Sequence, residues 1–130
     1  MHKRFLITGA LLGAIAVALG AFAAHGLKQI MPVDSVQTFQ TGVQYQMVHA
    51  IALLITGILY DRFRNKLISL AGTFFIIGII LFSGSLYLLT ILKAAEITGF
   101  NKVGIITPFG GVSFITGWIL LSAGIIRKNI

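Results

Sequence analysis

No cysteine occurs among the 130 residues, and only three acidic residues do: Asp34, Asp61 and Glu96. The missing thiols exclude disulfides, thiolate metal sites and cysteine nucleophiles. With so few carboxylates, chemistry that depends on paired acids or on oxygen-rich metal cages lacks its ligands. Proline is scarce as well, at two residues, so little interrupts a long helix. Charge of either sign is absent from four stretches, Phe5 to Leu27, Val43 to Tyr60, Leu67 to Leu92 and Val103 to Ile126, each of 18 residues or more. A helix needs about 20 residues to cross a hydrocarbon layer of ~30 Å.

What is present agrees with those absences. Hydrophobic residues make up 57% of the chain and charged residues 10%, far from the ~25% charged of a soluble domain. A soluble core of this length could not bury so much apolar surface. The fold class expected is therefore all-α: an integral membrane four-helix transmembrane bundle, one domain over residues 1–130, with helices at about 5–27, 34–60, 67–96 and 107–127.

The net charge of +7 would suggest nucleic acid in a soluble domain. Here the Lys and Arg are spread over the connections without the aromatic or motif context of a nucleic-acid face, and no nucleic-acid partner is expected. Lys3, Arg4, Arg62, Arg64, Lys66, Arg127 and Lys128 fall on one side of the expected bundle, while Lys28, Lys93 and Lys102 share the other with Asp34 and Glu96. The positive-inside rule then predicts cytoplasmic termini and a multi-pass location in the inner or plasma membrane. Membrane lipids are the partners this implies, with anionic headgroups at the basic clusters. The start of the chain, ending in Ala21-Phe22-Ala23, also resembles a secretory signal. Its apolar run exceeds the ~7–15 residues of such a segment, so a retained first helix is expected.

Local signals place the helix ends. Asp34 with Gln37 three residues on resembles a capping box and predicts a start at Asp34. Val33, Val36, Phe39 and Val43 recur at helical steps in an amphipathic interfacial segment, with Gly42 as a place to bend. Gly99 is expected to end the third helix, and Thr107-Pro108 to open the fourth as N-cap and first helical residue. Gly9, Gly13, Ala16, Gly20 and Ala24 form a narrow stripe containing a GxxxG step, which predicts a close-packed first helix. Helix 4 carries Gly110, Gly111, Ser113, Gly117 and Gly124, and helix 3 carries Gly72, Gly78, Ser83 and Gly84. Such grooves suit packing within the bundle or a face for a homo-oligomer or another membrane protein.

Polar chemistry concentrates in the half remote from the termini. His25 is expected to end helix 1; Gln44, Tyr45 and His49 lie on helix 2, Ser83, Ser85 and Tyr87 on helix 3, and Thr107 at the start of helix 4. Tyr45 and His49 are four residues apart, as are Ser83 and Tyr87, so each pair can point into one interior. At a depth of roughly 9 Å, His49 needs a partner. Three arrangements suit the cluster. The groups can satisfy one another and tie the helices together, or line a shallow pocket for a small ligand or lipid headgroup beside the helix 4 start. A haem or metal between His25 and His49 is the third, which the shortage of acids disfavours; neither cofactor nor metal is expected. Trp118 reads as core filling whose N–H needs a partner. There is no G-x-S-x-G elbow and no buried carboxylate to orient a base, so an enzyme is not expected.

The blocks Gly20-Ala-Phe-Ala-Ala-His-Gly-Leu27, Thr41-Gly-Val-Gln-Tyr-Gln-Met-Val-His-Ala50, Phe82-Ser-Gly-Ser-Leu-Tyr87 and Thr107-Pro-Phe-Gly-Gly111 with Gly117-Trp118 carry a resemblance over nearly the whole chain. In order and spacing they are similar to the bacterial YgdD/YwdK-like membrane proteins, domain-of-unknown-function family 423; Ala23 or Ala24 stands where relatives often have Gly. The resemblance implies a small four-span inner-membrane protein of unassigned activity, with His25, Gln44, Tyr45, His49, Ser83, Ser85, Tyr87, Thr107 and Pro108 in its motifs. Together the residues suggest a lipid- or small-ligand-binding or accessory membrane protein. The alternative is a small oligomeric transporter or channel subunit.

Overall fold

Lipid offers no hydrogen bonds to a peptide group, so an apolar run that crosses it must satisfy its own backbone, and here all four runs do so as helices. The computed structural model describes residues 2–97 and 99–127, the side chains of residues 100 and 101 excepted. Helix α1 spans Lys3–Ile30, α2 Val33–Arg62 and α3 Lys66–Ala94. Helix α4, Ile106–Ile126, follows a 3-10 segment, Phe100–Ile105. No strand occurs among the described residues. At 1.5 Å per residue the first three helices are roughly 42 to 45 Å long, the thickness of the hydrocarbon and both headgroup layers together. Their ends therefore lie among headgroups.

Several helix ends differ from the sequence expectation. Helix α2 starts a residue early: Pro32 is the N-cap, at φ −61° and ψ 158°, and Asp34 sits inside the first turn without a side-chain cap. Gly42 does not break α2. It instead admits a neighbour, because a Cβ there would lie 2.8 Å from Cε1 of Tyr87. Helix α3 stops at Ala94, ahead of Gly99, in a Schellman motif: the Ile97 N–H donates to the Leu92 carbonyl at 3.0 Å and the Glu96 N–H to that of Lys93 at 3.2 Å. The left-handed position that glycine usually fills is held by Glu96, at φ 56°. Asn65, which no motif singled out, caps α3 through bonds from the Leu67 and Ile68 N–H groups at 3.0 and 3.3 Å, and its amide donates to the Gly124 carbonyl of α4 at 2.9 Å.

Helices α2 and α3 are the inner pair, α2 packing on α1 and α3, and α3 on α2 and α4. Burial agrees: 44% of α2's apolar window is buried against 17% of α1's. The expectation of a close-packed first helix is corrected accordingly. Gly9 does meet α2, where a Cβ would lie 2.9 Å from the Ala50 carbonyl oxygen, and Gly20 faces Val43, but nothing lies within 4 Å of Gly13. Ala16 on the same stripe is fully buried, and only Ala24 at its far end is exposed.

The tighter seam joins α3 to α4. Gly110, Gly117 and Gly124 face Phe82, Phe75 and Ile68 at the seven-residue spacing of a left-handed helix pair. A Cβ on Gly110 would run into the backbone of Phe82, which cannot yield. Phe75, Ile68, Ala71, Ile79, Phe114 and Leu121 form the core there. Apolar burial gives little drive in lipid, so these close contacts hold the pair by dispersion.

Candidate functional site

Two helices contain a π turn, Ala23–Leu27 in α1 and Ile79–Ser83 in α3. Such a turn holds one residue more than an α-turn and rotates the remainder of the helix about its axis. In α3 it delivers Ser83 to α2 and Ser85 to α4. The Ser83 hydroxyl, fully buried, donates to the Gly42 carbonyl at 2.6 Å. Ser85 donates to the Phe82 carbonyl at 2.8 Å, which leaves Thr107 as donor in the 2.6 Å bond between the Ser85 and Thr107 hydroxyls.

That bond also alters the start of α4. The helix runs on from the 3-10 segment with Ile105 as N-cap and no side-chain cap. Thr107 is thus not the expected N-cap, and Pro108 is not the first helical residue. A bare helix start offering N–H groups to an anion is not formed there.

Gln46 is the residue that sequence reasoning passed over. Its Nε2 donates to the Leu12 carbonyl of α1 at 2.8 Å, and its Oε1 accepts the Tyr87 hydroxyl of α3 at 2.7 Å. One amide thereby ties three helices, each atom in its proper role. It shares a stripe with Gly42 and His49, at spacings of four and three, and that stripe was the available signal. Gln44, the glutamine expected in the cluster, is not fully buried and makes none of these ties.

His49 has both ring nitrogens committed. Trp118 Nε1, which can only donate, gives its proton to His49 Nε2 at 3.0 Å, so Nδ1 must carry the ring's proton and donate to the Tyr45 carbonyl at 2.7 Å. The neutral tautomer is fixed by its partners. The ring stacks on Phe114 at 3.6 Å between centroids and 14° between planes, with Phe75 and Trp118 at its edges. Trp118 therefore does more than fill space: 44% exposed, it closes the lipid side of His49.

The eight expected residues do not converge on one pocket. His25 lies within the π turn of α1, not at a helix end, and is exposed. Gln44, Tyr45 and His49 line, with Val48, a shallow groove of about 360 Å³ on the side of the bundle. Tyr45 is 43% exposed and lays its ring on Phe82, 4.5 Å away. Ser83, Ser85, Tyr87 and Thr107 belong to the ties that α3 makes with its neighbours. Among the described residues, no three His, Cys, Asp or Glu side chains are grouped to hold a metal ion, and a haem or metal on His49 Nε2 would have to displace the Trp118 N–H.

Polar groups outside these ties gather at the distal end, remote from Lys3 and Arg127. There one groove of about 310 Å³ runs between α1 and α2, lined by Ala24, Lys28, Met31, Val36, Gln37 and Gln40 among others. A second, of about 200 Å³, lies between the start of α2 and the end of α3.

Four apolar helices with polar ties across their interior and grooves at headgroup level define a small multi-pass protein of the cell membrane. The model of the family described as "Protein of unknown function (DUF423)" matches residues 19–111. The chain belongs to that family. It is 41% identical to the UPF0382 membrane protein YwdK of Bacillus subtilis over 126 residues, covering 96% of this chain and 98% of the relative. A UPF0382 membrane protein of Haemophilus influenzae is 43% identical over 129 residues, 99% and 98% of the two chains. The UPF0382 inner membrane protein YgdD of Escherichia coli K12 is 41% identical over 128 residues, 98% and 93%. No solved structure matches.

Proposed function

We propose that this chain is a lipid-binding accessory protein of the cell membrane, working through its distal end, and not an enzyme. The observation that carries the reading is the division of polar groups by depth. Inside the bundle Gln46, His49, Ser83, Ser85, Tyr87 and Thr107 direct their hydrogen bonds to other helices or to their own backbone. A histidine with both nitrogens engaged has no free base to offer a substrate. At the distal end, Lys28, Lys93, Asp34, Gln37 and Gln40 line grooves at the level of lipid headgroups.

A second reading, a small oligomeric transporter or channel subunit, draws support from α1, whose apolar window is only 17% buried and whose Gly13 has open space beside it. Small residues let a second copy approach closely. Native mass spectrometry of the protein released from gentle detergent separates the two. A monomer that keeps phospholipid is the result expected; a closed symmetric oligomer that sheds all lipid would replace the first reading by the second.

A further inference from the structure

The groove between α2 and α3 is lined by Asp34, Ser35, Thr38, Leu89, Thr90 and Lys93. Its hydroxyls are unequal. Thr38 donates to the Asp34 carbonyl at 3.0 Å and Thr90 to the Leu86 carbonyl at 3.0 Å, so both are committed to their own helices. Ser35 is only 4% exposed, yet its hydroxyl has no hydrogen-bond partner among the described residues. A buried hydroxyl gives up its water on folding and normally recovers a partner in the protein. Beside it the first turn of α2 has no side-chain cap, which leaves backbone N–H groups at the positive end of a 30-residue helix without a side-chain partner. Lys93 and Asp34 bring opposite charges to the same rim. Leu89 supplies an apolar wall on the side of the hydrocarbon.

A lone anion suits Lys93, the helix start and Ser35 but is repelled by Asp34, and a lone cation meets the reverse. A zwitterion satisfies both charges. We propose that this groove binds a phosphate ester bearing a primary amine, the phosphate held by Lys93, Ser35 and the first turn of α2, and the ammonium by Asp34. The ends of α2 and α3 lie among headgroups, so a phosphoethanolamine lipid is the occupant the position favours; soluble phosphoethanolamine shares the chemistry. This site rests on the lipid-binding reading and gives it a ligand and residues.

The test is native mass spectrometry of the full chain in mild detergent with added phosphatidylethanolamine, phosphatidylglycerol or diacylglycerol, alongside titration with soluble phosphoethanolamine. Wild type should retain phosphatidylethanolamine best and diacylglycerol least. Lys93→Gln should weaken both phospholipids roughly tenfold, the scale of one charged hydrogen bond. Asp34→Asn should weaken phosphatidylethanolamine alone and erase the preference. Ser35→Ala should lower retention without lowering Tm, which separates ligand contact from structural support. Binding of soluble phosphoethanolamine as tight as that of the lipid, and lost in Lys93→Gln, would support the site and assign it to the free ester. Wild type that keeps lipid while all three variants keep the same amount with the same preference would overturn the site and leave the general reading standing. Wild type that keeps none would overturn both.

Discussion

Midway through the bundle, Gln46 and His49 have their polar atoms engaged by other residues; near the distal end of α2, Ser35 is as deeply buried and its hydroxyl has no partner among the described residues. The contrast shows what each depth is for. In hydrocarbon an unpaired polar group has no water to fall back on, so the interior tolerates only closed networks. At headgroup level, water and lipid can supply the missing partner. A buried orphan can persist there.

Substitutions can break or sharpen that contrast. The largest effect is expected from His49→Ala, which removes the ring stacked on Phe114 and orphans the Trp118 N–H. A loss of about 2–4 kcal/mol is expected, measured by thermal unfolding in detergent, with His49→Gln recovering part of it. Gln46→Leu deletes both cross-helix bonds of the amide and should cost about 1–2 kcal/mol in the same assay. Two changes at the distal end should have the opposite sign. Glu96→Gly relieves the left-handed residue of the Schellman motif and should add about 1 kcal/mol. Ser35→Ala replaces an unpaired hydroxyl with a methyl group and should add about 0.5 kcal/mol in lipid-free detergent. If Ser35→Ala destabilised the protein as Gln46→Leu does, the two depths would be alike and the contrast would fail.

The bundle itself was legible because composition and period decide it: four uncharged runs of sufficient length leave no other way to satisfy the backbone. Parts of the site were legible too, since a histidine inside a span demands a partner. Which partner was not, because Trp118 lies 69 residues away in sequence and only the α2 to α4 geometry brings it near. Gln44 and Gln46 are chemically identical and two positions apart, so choosing between them needs the orientation of α2. Nor does composition announce the π turn over Ile79–Ser83, whose run of large apolar residues fits an α-helix equally well. The left-handed position at Glu96 misled for a related reason. Gly99 was the better candidate by propensity, but the carbonyls of Leu92 and Lys93 accept the closing bonds of α3 before the chain reaches it.

The surplus residue in α3 has a consequence for how this chain can change over time. A rod with one extra residue can lose it without leaving a gap in its hydrogen bonding, by reverting to regular pitch. The part beyond residue 83 would keep its orientation, because the roughly 100° lost with one residue equals the lag that the π turn imposes. Ser85 and Tyr87 would still face Thr107 and Gln46. A deletion between residues 79 and 82 should thus be absorbed in place, producing a protein that still spans the bilayer with the same side chains toward its neighbours, whereas a deletion elsewhere in α3 would turn everything beyond it.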